Sequence, residues 1–431
     1  MNKIIILIFI PLFLLNCSFN ENSKIWNKEK KIVSERKKIK KVLLEEKKIQ
    51  QEFNSNLKID LTQININKVN YNQNNFGSLK YSGLLEKVEN FNFGKLKNVD
   101  SLDFSPLFLQ SGFIFFSPKG SIFRYDDNKK IIWKKNYYSK SEKKLNPKLI
   151  FSKIENNVLI ADNLGKFYLI NLENGDLIWM KNNIYPFNSD IKIKDNNFFI
   201  VDYKNTLRCF SIKSGSELWN FQTEDSFTLS SAKNSIVISN EMVIFSNSIG
   251  DITAIDALDG SIQWQLPTQS NSMVNENYNF KNSKLVLSGK SIYFSNNRNQ
   301  FFSVDVETGK PNWKNEVSSS IKPIVIEDYI FTVSDDGYLY TLLKDEGDII
   351  RINDVFKNYK PKDRKKIKTI GFSMGNENLY ITNNDGKIIV INLSLGNIIN
   401  IKNISRNLIS EPFIFDNHLY IINNRSIFKY N

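Results

Sequence analysis

Histidine and cysteine are nearly missing from this 431-residue chain, which has one of the first and two of the second. That scarcity excludes a disulfide-stapled scaffold, a Cys/His zinc site and a Cys–His catalytic pair. The one histidine, His418, has no Cys or His neighbour and completes no Ser/His/Asp set. No Gly-rich phosphate loop precedes a helical pattern. Mean hydropathy is −0.34 and 24% of residues are charged, which excludes a polytopic membrane protein. Acidic residues fall short of basic ones, 45 against 58, leaving a net charge of +13. Aromatics are abundant instead: 32 Phe and 17 Tyr lean the chain toward β structure.

The first seventeen residues, MNKIIILIFIPLFLLNC, are an address. Ile4 to Leu15 is a continuous apolar run of twelve residues after a basic Lys3. A spanning helix needs about 20 apolar residues, so the run suits a secretory signal over 1–16. It ends at Cys17 and resembles the lipobox of bacterial lipoproteins, in which that cysteine is lipidated. Asn16 departs from the usual small residue, and the bland alternative is a plain secretion signal. Ser18, where the sorting rule would require Asp for inner-membrane retention, implies the outer membrane. Residues 21–50 have eleven Lys/Arg and five Glu, close to half the chain's basic excess. They read as a charged helical tether or stalk, and they explain much of the charge without a nucleic-acid partner. The Asn-rich stretch to about Lys80 reads as linker, so 17–80 is tether and linker and 81–431 the folded domain.

That domain is one unit copied eight times. Trp133, Trp179, Trp219, Trp264 and Trp313 recur at separations of 46, 40, 45 and 49 residues. Four residues before the Trp position stand Gly175, Gly215, Gly260, Gly309, Gly347 and Gly396. Fourteen before it stand Gly165, Asn205, Gly250, Asn299, Gly337 and Gly386. These residue types tolerate the positive φ of tight hairpin turns. Alternating stretches such as 251–256 lie between the turns and read as half-buried strands. Copies 336–351 and 385–400 keep the pattern without the tryptophan, and 425–431 stops mid-unit.

Each unit is a four-stranded antiparallel meander that must stack on its neighbours to bury both faces. Eight copies over 101–431 average about 41 residues each, the length of a propeller blade. The fold class expected is all-β: an eight-bladed β-propeller of four-stranded antiparallel blades. The last copy lacks its final strand, and Val88–Gly94, ahead of the first blade, is expected to supply it and close the ring. The aligned tryptophans are expected to pack between adjacent blades.

The segment Ala254-Ile255-Asp256-Ala257-Leu258-Asp259-Gly260-Ser261-Ile262-Gln263-Trp264 resembles the PQQ-like propeller repeat, and 303–313 matches it nearly as well. Lipoprotein signal, basic lead-in and bare eight-bladed ring together resemble the BamB family of outer-membrane β-barrel assembly lipoproteins. The resemblance implies a non-enzymatic scaffold, lipid-anchored at the periplasmic face of the outer membrane. It implies binding of the barrel insertase BamA through its POTRA domains, as a monomer within a complex with the other assembly subunits, and no cofactor. The family's inter-blade loop element Leu-x-Leu-Arg corresponds here to Phe227-Thr228-Leu229-Ser230. This makes Phe227, Leu229 and Ser230 candidate partner contacts, the alternative being ordinary core anchors. A second, acidic family loop corresponds to Asn279-Phe280-Lys281.

Two rival classes stay open. A quinoprotein dehydrogenase of this fold would need PQQ, a calcium site of converging oxygens and often a cysteine pair. No Cys-Cys pair exists, and Asp256 and Asp305 recur at the same repeat position as Asn171 and Asn392, which points to turn acceptors. Cys209 occupies the slot held by Ala254 and Ser303 and reads as a small strand residue. The other rival is a propeller that binds a ligand in its central channel.

Overall fold

The computed structural model describes residues 50–61, 81–96, 102–224, 232–269 and 280–431. The signal, Cys17 and the basic 21–49 run lie outside them. The propeller unit runs from Glu52 to Asn431. Eight four-stranded antiparallel sheets compose it. Blades 1 to 7 span 107–135, 149–182, 192–222, 236–266, 286–315, 324–354 and 369–403, each a meander in chain order.

Blade 8 is composite. Its three C-terminal strands, Phe413–Phe415, His418–Ile422 and Ser426–Tyr430, are completed by Lys87–Asn92 from the other end of the domain. Lys87–Asn92 lies antiparallel to Ser426–Tyr430, with Phe91 opposite Ile427 and Asn90 opposite Phe428. Glu86 and Asn431 exchange both backbone hydrogen bonds, at 3.1 and 2.9 Å. The ring therefore closes through the strand expected from the sequence.

The middle strands are more deeply buried than an alternating pattern suggests. Ile252–Asp256 is buried at four of its five positions, because a blade has a neighbour on each face. In blade 3, Phe198 and Ile200 join a cluster with blade 2, while Phe199 and Val201 join one with blade 4. The period of two that makes a strand is thus spent on two inter-blade cores. The outermost strands face solvent, and in Glu217–Gln222 exposed and half-buried positions alternate.

Tryptophan ties each of blades 1 to 5 to the next. The Nε1 groups of Trp133, Trp179, Trp219, Trp264 and Trp313 donate to the carbonyls of Leu172, Ile212, Ala257, Val306 and Lys344, at 2.8–3.3 Å. Each acceptor is the same turn residue of the following blade. The indole also covers that blade's turn glycine. A Cβ added to Gly309 (φ +68°) would lie 2.5 Å from the Trp264 ring, so both backbone angle and space require glycine. A bulge one residue before the Trp position recurs in blades 1 to 7 and turns the outer strand so that the ring reaches across.

Blade 6 has Arg351 where the repeat has Trp, and it is fully buried. Its Nη2 donates to the Leu393 carbonyl at 2.9 Å, the acceptor a tryptophan would use. Its Nη1 donates to Ser394 and, at 3.0 Å, to the Leu57 carbonyl. Residues 52–61, which compose like linker, therefore lie against blades 6 and 7. Asn353 donates to the Ser55 carbonyl, and Ser394 to that of Ile59, at 3.0 and 2.8 Å. The short polar turns of this segment have backbone groups to satisfy, and the guanidinium supplies donors where an indole has one.

Candidate partner-binding face and central channel

The connections from one blade to the next enter the inner strands at one face of the ring. Parallel pairing of Ser189 with Asn234 shows two such entries running side by side. Phe227, Leu229 and Ser230 belong to the connection from blade 3 to blade 4 and lie outside the described residues. Its stems are held firmly. Asn205 Nδ2 donates to the Glu224 carbonyl at 3.0 Å and to Ser248 Oγ at 2.8 Å. Asn205 Oδ1 accepts from the Ser248 amide and from Asn234 Nδ2, at 3.0 and 3.3 Å. The other stem is fixed by Asn188 Nδ2 on the Ala232 carbonyl, at 3.2 Å. Asn205, at φ +56° and 1% exposed, does two jobs: it makes the tight turn and bridges blades 3 and 4 through Glu224, Asn234 and Ser248. Sequence spacing reveals only the first.

Asn279 also lies outside the described residues, but its neighbours do not. Phe280 is buried against Gly250, and the Lys281 amide donates to Asn297 Oδ1 at 3.0 Å. Phe280 is an anchor for the loop between blades 4 and 5. The repeated acceptors are turn groups: Asp256 Oδ1 takes the Leu258 amide and Asp305 Oδ1 the Thr308 amide, both at 2.8 Å. Cys209 is fully buried, and burial raises its thiol to about 12, which removes it as a nucleophile. His418 opens a strand of blade 8, its Nδ1 2.7 Å from the Asp416 carbonyl oxygen.

At the same face, charged residues from five blades and the segment entering blade 1 meet in the channel. Lys284 Nζ lies 3.3 Å from Asp190 Oδ2 and 3.8 Å from Asp103 Oδ1. Lys233 Nζ lies 4.0 Å from Asp190 Oδ1 and 3.9 Å from Asp103 Oδ1. Lys192, Lys322 and Glu411 interact electrostatically with this group. A polar cavity of about 90 Å³ adjoins it, lined by Asp103, Asn163, Asn188, Tyr203 and Lys233 among others. Burial would raise the Asp190 carboxyl, but Lys284, Lys233 and Lys192 hold it well below the usual range. Burial raises Glu411, with the neighbouring lysines opposing. Sequence reasoning missed this cluster. The available signal was the set of charges just ahead of the inner strands, at 190, 192, 284, 322 and 411.

The family model described as outer membrane protein assembly factor BamB matches residues 118–353, more than half of the chain. The chain belongs to the BamB family. No curated protein matches it in sequence. Among solved structures it is similar to BamB from Moraxella catarrhalis, at 18% identity and a TM-score of 0.65, covering 81% of this chain and 100% of that one. The quinohemoprotein alcohol dehydrogenase of Comamonas testosteroni is similar at 12% identity and a TM-score of 0.56, with 82% and 78% covered. A computationally designed protein, Ika8, reaches 11% and 0.58, with 79% and 99% covered. These likenesses show the propeller fold.

A calcium cradle of the quinoprotein kind is not met: among the described residues no group of three or more His, Cys, Asp or Glu side chains is placed to hold a metal ion. The channel carboxylates Asp103 and Asp190 are interleaved with lysines, which repel a divalent cation.

The channel charges make one stability prediction. Lys322 is pushed down to about 7 from 10.5, by burial first and then by Lys192 and Lys284. The unfolded chain therefore binds more protons than the folded one between about pH 7 and 10.5, so this residue makes stability rise with pH across that window. Lys322→Met is expected to raise the thermal midpoint at pH 6 and to flatten the rise between pH 7 and 10. Calorimetry across pH checks both; a midpoint lowered at pH 6 would show the ammonium to be net stabilising.

Proposed function

We propose that this protein is a non-enzymatic scaffold lipoprotein that assists assembly of β-barrel proteins into the outer membrane. In this reading Cys17 carries lipid and anchors the chain at the periplasmic face. Residues 21–50 form the basic tether, and the ring binds the barrel insertase BamA through its POTRA domains. Membership of the BamB family is the observation that carries the reading. One other supports it. The residues that flank the connection bearing Phe227 and Leu229 are held in place by Asn205 and Asn188. Among the described residues no helix is long and apolar enough to cross a membrane. Likeness to a dehydrogenase extends to the fold and supplies no reacting group.

The test is direct. Phe227→Asp with Leu229→Asp is expected to cut co-purification of the insertase from solubilised envelopes by roughly tenfold or more, as for removal of apolar anchors at an interface centre. The thermal midpoint should stay within a few degrees, since a loop tip contributes little to the cores. Collapse of folding instead would mean that these side chains are core and the site assignment wrong. Mass spectrometry of the mature N-terminus should find Cys17 first in the chain and acylated.

A further inference from the structure

The chain enters the ring at one corner. Glu52 is the first residue of the propeller unit, and its Oε1 accepts the Asp354 amide at 3.0 Å. Asp354 ends the outer strand of blade 6, Ile349–Asp354, at the face where the blade-to-blade connections run. From there the segment turns and descends along blades 6 and 7. At its far end the Ile59 amide donates to the Ser394 carbonyl at 3.0 Å, in the turn between Lys387–Asn392 and Ile398–Asn403 at the opposite face. The chain toward the N-terminus therefore departs at the connection face, beside the start of the link from blade 6 to blade 7.

That link, 355–368, has six lysines and Arg364 against Asp363, a net of +6. The next most basic connection, 136–148, has four lysines against Glu142, and no end of the chain leaves the ring beside it. Lys357, Lys360, Lys362, Lys365, Lys366 and Lys368 are all exposed. The ion pairs at this corner, Arg364 with Asp354 and Lys387 with Asp385, take none of them. The backbone that bears them is fastened on both sides. The Arg364 guanidinium lies 5.0 Å from the Tyr338 ring of blade 6, and Tyr359 donates to Asp385 Oδ2 of blade 7 at 2.9 Å. Asn384 Nδ2 donates to the Lys366 carbonyl at 3.0 Å, and its Oδ1 accepts the Lys368 amide at 2.9 Å. Tyr359 and Ile367 pack on the core of blades 6 and 7. Six like charges in twelve residues repel one another, and an anionic surface relieves that repulsion. Asp354 joins the two features, since its amide holds Glu52 and its carboxylate holds Arg364.

We propose that the 355–368 connection rests on an anionic lipid surface, its lysines among the phosphates of phospholipid headgroups. The choice of lipid rests on the anchored reading above, in which the chain departing at Glu52 leads to acylated Cys17 and this corner is the part of the ring held to the membrane. Acyl anchors and basic patches add in membrane binding. The test uses the mature chain without lipid, residues 18–431, which contains the whole ring, and co-sedimentation with vesicles. At about 100 mM salt, vesicles of about 30% phosphatidylglycerol in phosphatidylcholine are expected to bind it at least roughly tenfold more tightly than phosphatidylcholine alone. Lys360→Gln, Lys362→Gln, Lys365→Gln and Lys366→Gln together should weaken that binding by roughly tenfold or more. The same charge removed from the other connection, by Lys140→Gln, Lys143→Gln, Lys144→Gln and Lys148→Gln, should weaken it by about threefold at most. The basic 21–50 run is common to every variant, so its own attraction cancels in the comparison. Equal affinity for neutral vesicles, a 355–368 variant within about twofold of the original, or equal loss from the two variants would overturn the proposal. So would binding of polyglutamate through these lysines with no binding of anionic vesicles, which would assign them to an acidic protein. None of these outcomes touches recovery of the insertase or acylation of Cys17, so the two readings fail separately.

Discussion

Ile427→Asp is expected to cost the ring about 4–5 kcal/mol, enough to leave a domain of ordinary stability marginal at 37 °C. Ile427 is fully buried opposite Phe91, where the C-terminal strand meets the strand from the other end of the domain. A carboxylate there sits inside the hydrophobic cluster that joins blades 8, 1 and 2. The larger perturbation is truncation after Arg425, which removes Ser426–Tyr430 and leaves Lys87–Asn92 without a partner. It should abolish the cooperative thermal transition, because no other strand links the first blade to the last. Circular dichroism on heating checks both, with Ile427→Val, at about 0.5–1.5 kcal/mol, as the conservative control. A truncated chain that melts normally would mean that the ring does not need this closure.

Arg351→Ala carries the second large effect, about 3–5 kcal/mol by denaturant titration. The substitution removes the donors to the carbonyls of Leu57, Leu393 and Ser394, of which the bond to Leu393 is buried, and leaves a hole where a long side chain was fully enclosed. Arg351→Trp is the informative partner. An indole in the repeat's usual position regains the bond to Leu393 but has no second donor for the 52–61 segment. It should recover part of the stability while making 52–61 a new site of limited proteolysis. If the tryptophan variant is as stable and as protease-resistant as the original, the arginine has no role in holding that segment.

The repeat was legible because its spacing is enforced by backbone geometry. Gly309 cannot be replaced at φ +68° beneath the Trp264 ring, so every copy with that turn shows the same residue at the same offset. Closure was legible for a similar reason: the copy containing RSIFKYN has one strand fewer than the others, and the apolar Val88–Gly94 ahead of blade 1 fits the gap. Burial of the middle strands was underread, since alternation such as Thr253 between Ile252 and Ala254 looks half-exposed until neighbours cover both faces. The 52–61 segment was hidden by distance. Arg351 and Leu57 are 294 positions apart, and nothing local in Leu57-Lys58-Ile59 marks a docked strand. The channel charges were hidden by symmetry: Asp190, Lys284 and Glu411 occupy one end of the channel in different blades, and become a cluster only when the ring is closed. The partner loop was read from family resemblance, and what the described residues add is the polar network at its flanking residues, centred on Asn205.

The central claim is that this ring works by holding a partner and not by turning over a substrate. Affinity purification of the full-length protein from solubilised envelopes, with the eluate examined by mass spectrometry and tested with PQQ and calcium for dye-linked alcohol oxidation, addresses it most directly. The account predicts stoichiometric recovery of the barrel insertase and no PQQ uptake or oxidation. Stoichiometric PQQ uptake with turnover, and no insertase in the eluate, would contradict it.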